Sequence, residues 1–193
     1  IVERRLQGEG VQIHRHTELG EILGRRGRVA GVLRRDGRRI ACRLVALAVG
    51  VRPRIALARD AGLPVLLHIR KAHDQVLAAL RRVPVVGGIA HAFNGSLQQA
   101  ERFIELGFCL GFGGMLTYER SSKLRALARQ LPAEAIVLET DAPDMVVSRH
   151  RGERNSPEYL PQVLASLAEV RGETLGDLAA RTLANTRDVL DLS

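Results

Sequence analysis

Across 193 residues, 29 Lys and Arg against 21 Asp and Glu leave a formal net charge of +8. No apolar run approaches the roughly 18 residues of a membrane span and no charged-then-apolar leader marks secretion, so the chain is expected to be soluble and cytoplasmic. Cys42 and Cys109 are too few and too isolated for a disulfide framework or a zinc knuckle, and they read as small buried hydrophobes. The charge is unevenly spread. Residues 1–60 hold 14 Arg and six acidic residues, whereas residues 61–193 hold 15 basic and 15 acidic residues. A basic segment of this kind is either a footprint for a polyanion or a solvated arginine-rich surface. Aromatic residues for base stacking are absent from residues 1–60, which favours the second reading.

In chain order, residues 10–50 give short β-prone runs broken by turn signals. Residues 28–33 and 39–42 flank Asp36-Gly37, a strong hairpin signal. Residues 44–49 read as a buried strand ending at Gly50, and 55–60 as a short helix. His14-Arg15-His16 places two imidazoles on one face of a strand, yet it reads as part of this β-meander rather than as a ligand pair. The chain starts at Ile1 rather than Met, so its N-terminus reads as an internal cut.

From Leu63 the rhythm becomes strand, helix, strand. Strands are expected at 64–68, 87–93, 108–114 and 135–140. Helices are expected at 72–82, from a Ser96 cap to 106 with Gly107 ending it, and from a Ser121 or Ser122 cap to 131. Helices at 157–171 and 174–190 complete the chain. Such alternation implies parallel βα units. Three of the strands end in polar groups: His68, His91, and the pair Glu139 and Asp141 ahead of Pro143. Two imidazoles and a carboxylate at the C-terminal ends of parallel strands form an N/O set suited to zinc, manganese, magnesium or a relative. His68 and His91, on neighbouring strands, should have Cα atoms within about 10 Å. Glu139 reads as a supporting group, and His73 as a solvent-facing residue of its helix.

Two resemblances follow from these strings. "GVQIHRHTELGEI", "GRVAGVLRRDGRRIACRLVALAVGVRP" and "LARDAGL" resemble the pyridine-nucleotide/flavin disulfide-oxidoreductases over residues 1–63. The Gly-x-Gly-x-x-Gly phosphate loop of those proteins is missing, so dinucleotide binding has no cradle and the piece reads as a fragment. "LPVLLHIRKAHD", "GGIAHAFNGSLQQAERFIELGFCLGFGG", "LPAEAIVLETDAPDM", "RHRGERNSPEYLPQVLASLAEVRGE" and "LAARTLANTRDVL" resemble the TatD-type metal-dependent hydrolases over residues 61–192, in that family's order and spacing.

The second resemblance implies a (β/α)₈ barrel of the TIM type, of which only the last four βα units are present. The expected fold class is therefore α/β, a partial barrel at 63–193 preceded by a small β-rich segment at 1–62. The resemblance also implies that His68 and His91 bind one divalent metal, that Asp141 serves another as metal ligand and catalytic group, and that DNA or another phosphoester is the substrate. Arg151 and Arg154 lie in a basic loop with Arg149 and His150, which is either a phosphate contact or a solvated charged face. The family's first-strand His-x-His and its bridging glutamate have no counterpart here. A catalytically inactive fusion remnant and an oxidoreductase fragment are therefore the alternatives to a deoxyribonuclease-like hydrolase. The open edges of a half-barrel would be covered by strand 44–49 pairing beside 64–68, with Gly50 at the rim, or by self-association.

Overall fold

The computed structural model describes residues 19–25, 28–40 and 55–192. The His14/His16 pair, Cys42, strand 44–49, its pairing beside 64–68 and the placing of Gly50 at the rim lie outside the described residues. The chain divides into two compact units, Ile1–Val45 and Ala46–Ser193.

In the first unit, strands β1 (Leu19–Arg25), β2 (Arg28–Arg34) and β3 (Arg39–Ile40) form an antiparallel sheet in that order. The turn between β2 and β3 is the Asp36-Gly37 hairpin read from the sequence. Gly37 sits at φ +82°, a left-handed conformation that favours glycine, and the Asp36 carboxylate accepts the Arg38 amide at 3.1 Å. Strand β1 was not legible in the sequence. Gly20, Glu21 and Gly24 interrupt its apolar residues, and pairing with β2 supplies what the pattern lacks.

The second unit is α/β with a parallel sheet. Helix α1 (Ile55–Ala61) leads to β4 (Val65–His68), α2 (His73–Arg82), β5 (Gly88–His91) and α3 (Leu97–Glu105). Strand β6 (Phe108–Phe112), α4 (Ser122–Gln130), β7 (Ile136–Leu138), α5 (Leu160–Arg171) and α6 (Leu175–Val189) follow. The sheet runs β4-β5-β6-β7, each pair parallel, so the C-terminal ends of all four strands point the same way. Its strands are short apolar runs, as expected where both faces are covered. Leu110, Ile136 and Ala90 are fully buried, and Phe103 from α3 packs edge-on against Phe108 at 5.9 Å.

Local signals explain the helix ends. Ser96 accepts the Gln99 amide while the Gln99 side chain accepts the Ser96 amide, a reciprocal capping box, and Gly107 at φ +81° lets the chain leave α3. Thr174 caps α6 by accepting the Asp177 amide, and its hydroxyl donates to the Asp177 carboxylate. Asn185, buried on α6, donates to the Ala133 and Ile136 carbonyls and so fixes the start of β7. Arg171 donates to the Ala128 and Leu131 carbonyls and ties α5 to the end of α4.

Four expectations need correction. The last strand is shorter than 135–140, because Ala133–Ala135 is wound into a 3₁₀ turn after Pro132 and the Thr140 carbonyl accepts from Asn155 instead of a strand. Helix 157–171 begins as a 3₁₀ turn at Pro157–Tyr159. Cys109 is half-buried rather than buried. His73 is not solvent-facing but only 8% exposed, edge-on to Phe93 at 5.3 Å and to Phe103 at 6.4 Å, with Nε2 unpartnered. Tertiary packing overrides the helical position here, since α2 turns this residue toward the aromatic cluster.

Burial depresses the His73 pKa below its ordinary 6.5, against a smaller opposing pull from Asp74. Below pH 6.5 the unfolded chain therefore gains a proton that the folded chain resists. Stability contributed by neutral His73 is fully present above 6.5 and is lost progressively as pH falls below 6.5 and through the lowered folded value. Urea midpoints measured at pH 7.5 and 5.5 should converge in His73→Leu relative to the native chain; equal acid losses in both would contradict the burial. No helix among the described residues is long and apolar enough to cross a membrane.

Candidate metal centre

Three of the four strands of the parallel sheet deliver chemistry to one end. The β4–β5 register pairs His68 directly with His91, and their ring centroids are 5.5 Å apart. His91 also faces the polypeptide just after β7. Its Nδ1 lies 2.8 Å from Glu139 Oε2, and its Nε2 lies 3.3 Å from Asp141 Oδ1. The other Glu139 oxygen accepts the Ala92 amide at 2.7 Å. Glu139 thus grips His91 and the residue after it, which orients the imidazole and leaves Nε2 aimed at Asp141. The Glu139 hydrogen bond, helped by the charges of Glu139 and Asp141, raises the His91 pKa above 6.5 despite burial.

The backbone is strained at the same end of the sheet. Lys71, Ala92 and Asp141, each just past a strand, have φ of 53°, 47° and 56°, values that non-glycine residues seldom adopt. Small residues make room for the carboxylate. A Cβ on Gly111 of β6 would fall on the Glu139 carboxylate, and one on Gly113 would press its backbone and side chain.

Asn155, which the sequence reading passed over, holds the Asp141 segment. It is 4% exposed; its Nδ2 donates to the Thr140 and Asp144 carbonyls at 2.6 Å each, and its own amide donates to the Pro143 carbonyl. Two partly buried bonds on either side of a strained aspartate fix where its carboxylate sits. The signal available in the sequence was a polar Asn followed by Ser-Pro at the end of a charged loop, and nothing in it named the partners.

The basic loop behaves differently. His150 stacks on Tyr159 at 4.0 Å and pairs with Glu153, while Arg151 and Arg154 are exposed. A cavity of about 590 Å³ opens beside the centre, lined by Glu139, Thr140 and Asp141; Arg151 and Arg154 do not line it.

The donor set is compatible with a metal but incomplete. A 3.3 Å gap between His91 Nε2 and Asp141 Oδ1 matches the roughly 3.4 Å edge of a tetrahedron whose arms are zinc–ligand bonds. Glu139 on Nδ1 is the kind of carboxylate support that metal-bound histidines carry. Among the described residues, however, no group of three or more His, Cys, Asp and Glu side chains is disposed to hold an ion.

A 44% identical relative over 133 residues is the uncharacterized metal-dependent hydrolase YjjV of Escherichia coli K12; the match takes in 68% of this chain and 51% of the relative. The 3'-5' ssDNA/RNA exonuclease TatD of Klebsiella pneumoniae is 40% identical over 147 residues, with 72% and 55% covered. The crystal structure of the Escherichia coli TatD homologue YjjV superposes with a TM-score of 0.69 at 41% identity, over 72% of this chain and 54% of that one. The chain thus spans about half the length of the relatives it matches. The family described as TatD related DNase matches residues 50–191, a span that contains every residue of the centre built above, and this chain belongs to that family.

Proposed function

We propose that the chain contributes part of a metal-dependent phosphodiesterase centre, deoxyribonuclease-like, with DNA or RNA strands as substrate. The observation that carries this reading is His91, bridged between Glu139 and Asp141 and paired across the sheet with His68. His68 and His91 would hold one divalent zinc, manganese or magnesium ion, and Asp141 would serve a second. When bound, such an ion would polarise a phosphate oxygen and lower the pKa of a water. Glu139 keeps the imidazole oriented and Asn155 keeps Asp141 in place. Arg151 and Arg154 would meet outlying phosphates of a longer strand.

The half-barrel belongs to the same proposal: β4 to β7 would be the last four strands of a (β/α)₈ barrel, with residues 1–62 as a separate β-rich part of oxidoreductase-like origin. Self-association through the outer strands and a cytoplasmic location are further elements of this reading. The relative named as a 3'-5' exonuclease supports the substrate class, and the relatives named as metal-dependent hydrolases support the ion.

A second reading, a non-catalytic remnant, is favoured by the lack of a three-donor group among the described residues. A labelled single-stranded oligodeoxynucleotide, incubated with the purified chain and manganese, separates the two. Cleavage that His91→Ala and Asp141→Asn each abolish supports the hydrolase. No cleavage by a chain that still takes up metal supports the remnant, and cleavage untouched by either substitution sinks the site.

A further inference from the structure

The cavity beside the metal centre has a composition that the centre itself does not explain. At about 590 Å³ it falls within the range of small-molecule pockets. Glu139 and Asp141 line it together with the apolar side chains of Met115, Leu124, Leu127 and Met145. Met145 is 40% exposed and sits at φ 56° four residues beyond Asp141.

Arg120 and Lys123 also line the cavity. Neither has a carboxylate within 4.0 Å among the described residues, and the Arg120 guanidinium is restrained over the Tyr118 ring at 5.2 Å. Tyr118 is anchored in turn, its hydroxyl donating to the Val146 carbonyl at 3.0 Å. Two uncompensated cations, one of them pre-positioned, stand in the same cleft as two carboxylates and an aliphatic wall. A free cation at a cleft selects an anion, and the apolar wall selects a body that can shed water.

We propose that this cleft receives one nucleotide of the substrate, its phosphate against Arg120 and Lys123 and its nucleoside against the Met115, Leu124 and Met145 wall. The assignment rests on the phosphodiesterase reading and extends it to a subsite. Glu139 and Asp141 are left for the metal and the reacting phosphate, and the basic residues take the neighbouring phosphate. The exposed Arg151 and Arg154 have no share in this cleft.

The test is binding, not turnover. The full chain, in chelator and so free of metal, is titrated with thymidine 5′-monophosphate and separately with inorganic phosphate, followed by backbone amide shifts at Lys123 and Leu124. The nucleotide should bind at least about tenfold tighter than phosphate, since only it can fill the apolar wall. Arg120→Gln with Lys123→Gln should weaken nucleotide binding by about tenfold or more, the loss of roughly one charge-assisted contact. Arg82→Gln with Arg187→Gln, which removes two exposed charges elsewhere, should leave it unchanged. Equal affinity for phosphate and nucleotide overturns the proposal, as does equal weakening by both double variants. If metal uptake and cleavage are intact but nucleotide binding survives Arg120→Gln with Lys123→Gln, the subsite alone is wrong. If nucleotide binding is lost in that variant while His91→Ala leaves metal uptake unchanged, the subsite stands and the metal reading falls.

Discussion

Asn155→Leu should destabilise the folded chain by about 1–3 kcal/mol, because it leaves two partly buried carbonyls without the amide that both accept from. Those carbonyls belong to Thr140 and Asp144, on either side of Asp141. A leucine fills the space without donating, so packing does not offset the loss. The strained φ of 56° at Asp141 then has less to hold it, and the carboxylate should wander from His91 Nε2. Urea unfolding followed by circular dichroism measures the first effect. A loss below about 1 kcal/mol would show that the two bonds do not bear on the fold.

Phe103→Ala should cost about 3–5 kcal/mol, the usual range for removing a buried phenyl group without collapse. Phe103 is fully buried on α3 and meets three rings edge-on: His73, Phe93 and Phe108. Phe93 lies two residues after His91 on the same chain segment, so the cavity would border the segment that carries His91. Phe103→Leu keeps most of the volume and should recover more than half of the loss. If the two substitutions unfold at the same urea concentration, the cluster is not the keystone of this core.

What the sequence disclosed and what it concealed divide along range. The apolar runs ending at His68 and His91 are local, and the register that pairs those histidines follows from two strands of equal length in a parallel sheet. The capping box at Ser96 and the glycine at 107 are equally local, and α3 begins and ends where they say. Contacts distant along the chain left no local mark. The Glu139 bond to His91 spans 48 residues and the Asn155 bond to Thr140 spans 15, so neither periodicity nor spacing could supply them. His73 was misplaced for the same reason: its helical face is set by Phe93 and Phe103, not by its neighbours on α2. Strand β1 was missed because Gly20 and Gly24 weaken its intrinsic β signal, which pairing with β2 replaces. For His68, His91 and Asp141 the strand ends gave only a donor type; the metal-binding roles proposed for them rest on the family resemblance.

The proposed site places a divalent cation on His68 and His91, with Asp141 serving a second beside it. Calorimetric titration of the metal-free chain with zinc and with manganese tests it directly, alongside His68→Ala, His91→Ala and Asp141→Asn. The folded native chain should take up metal, and each substitution should weaken uptake beyond the 10–100-fold loss typical of removing a supporting residue. Uptake that is absent from the folded native chain, or unchanged in His91→Ala, would contradict the claim.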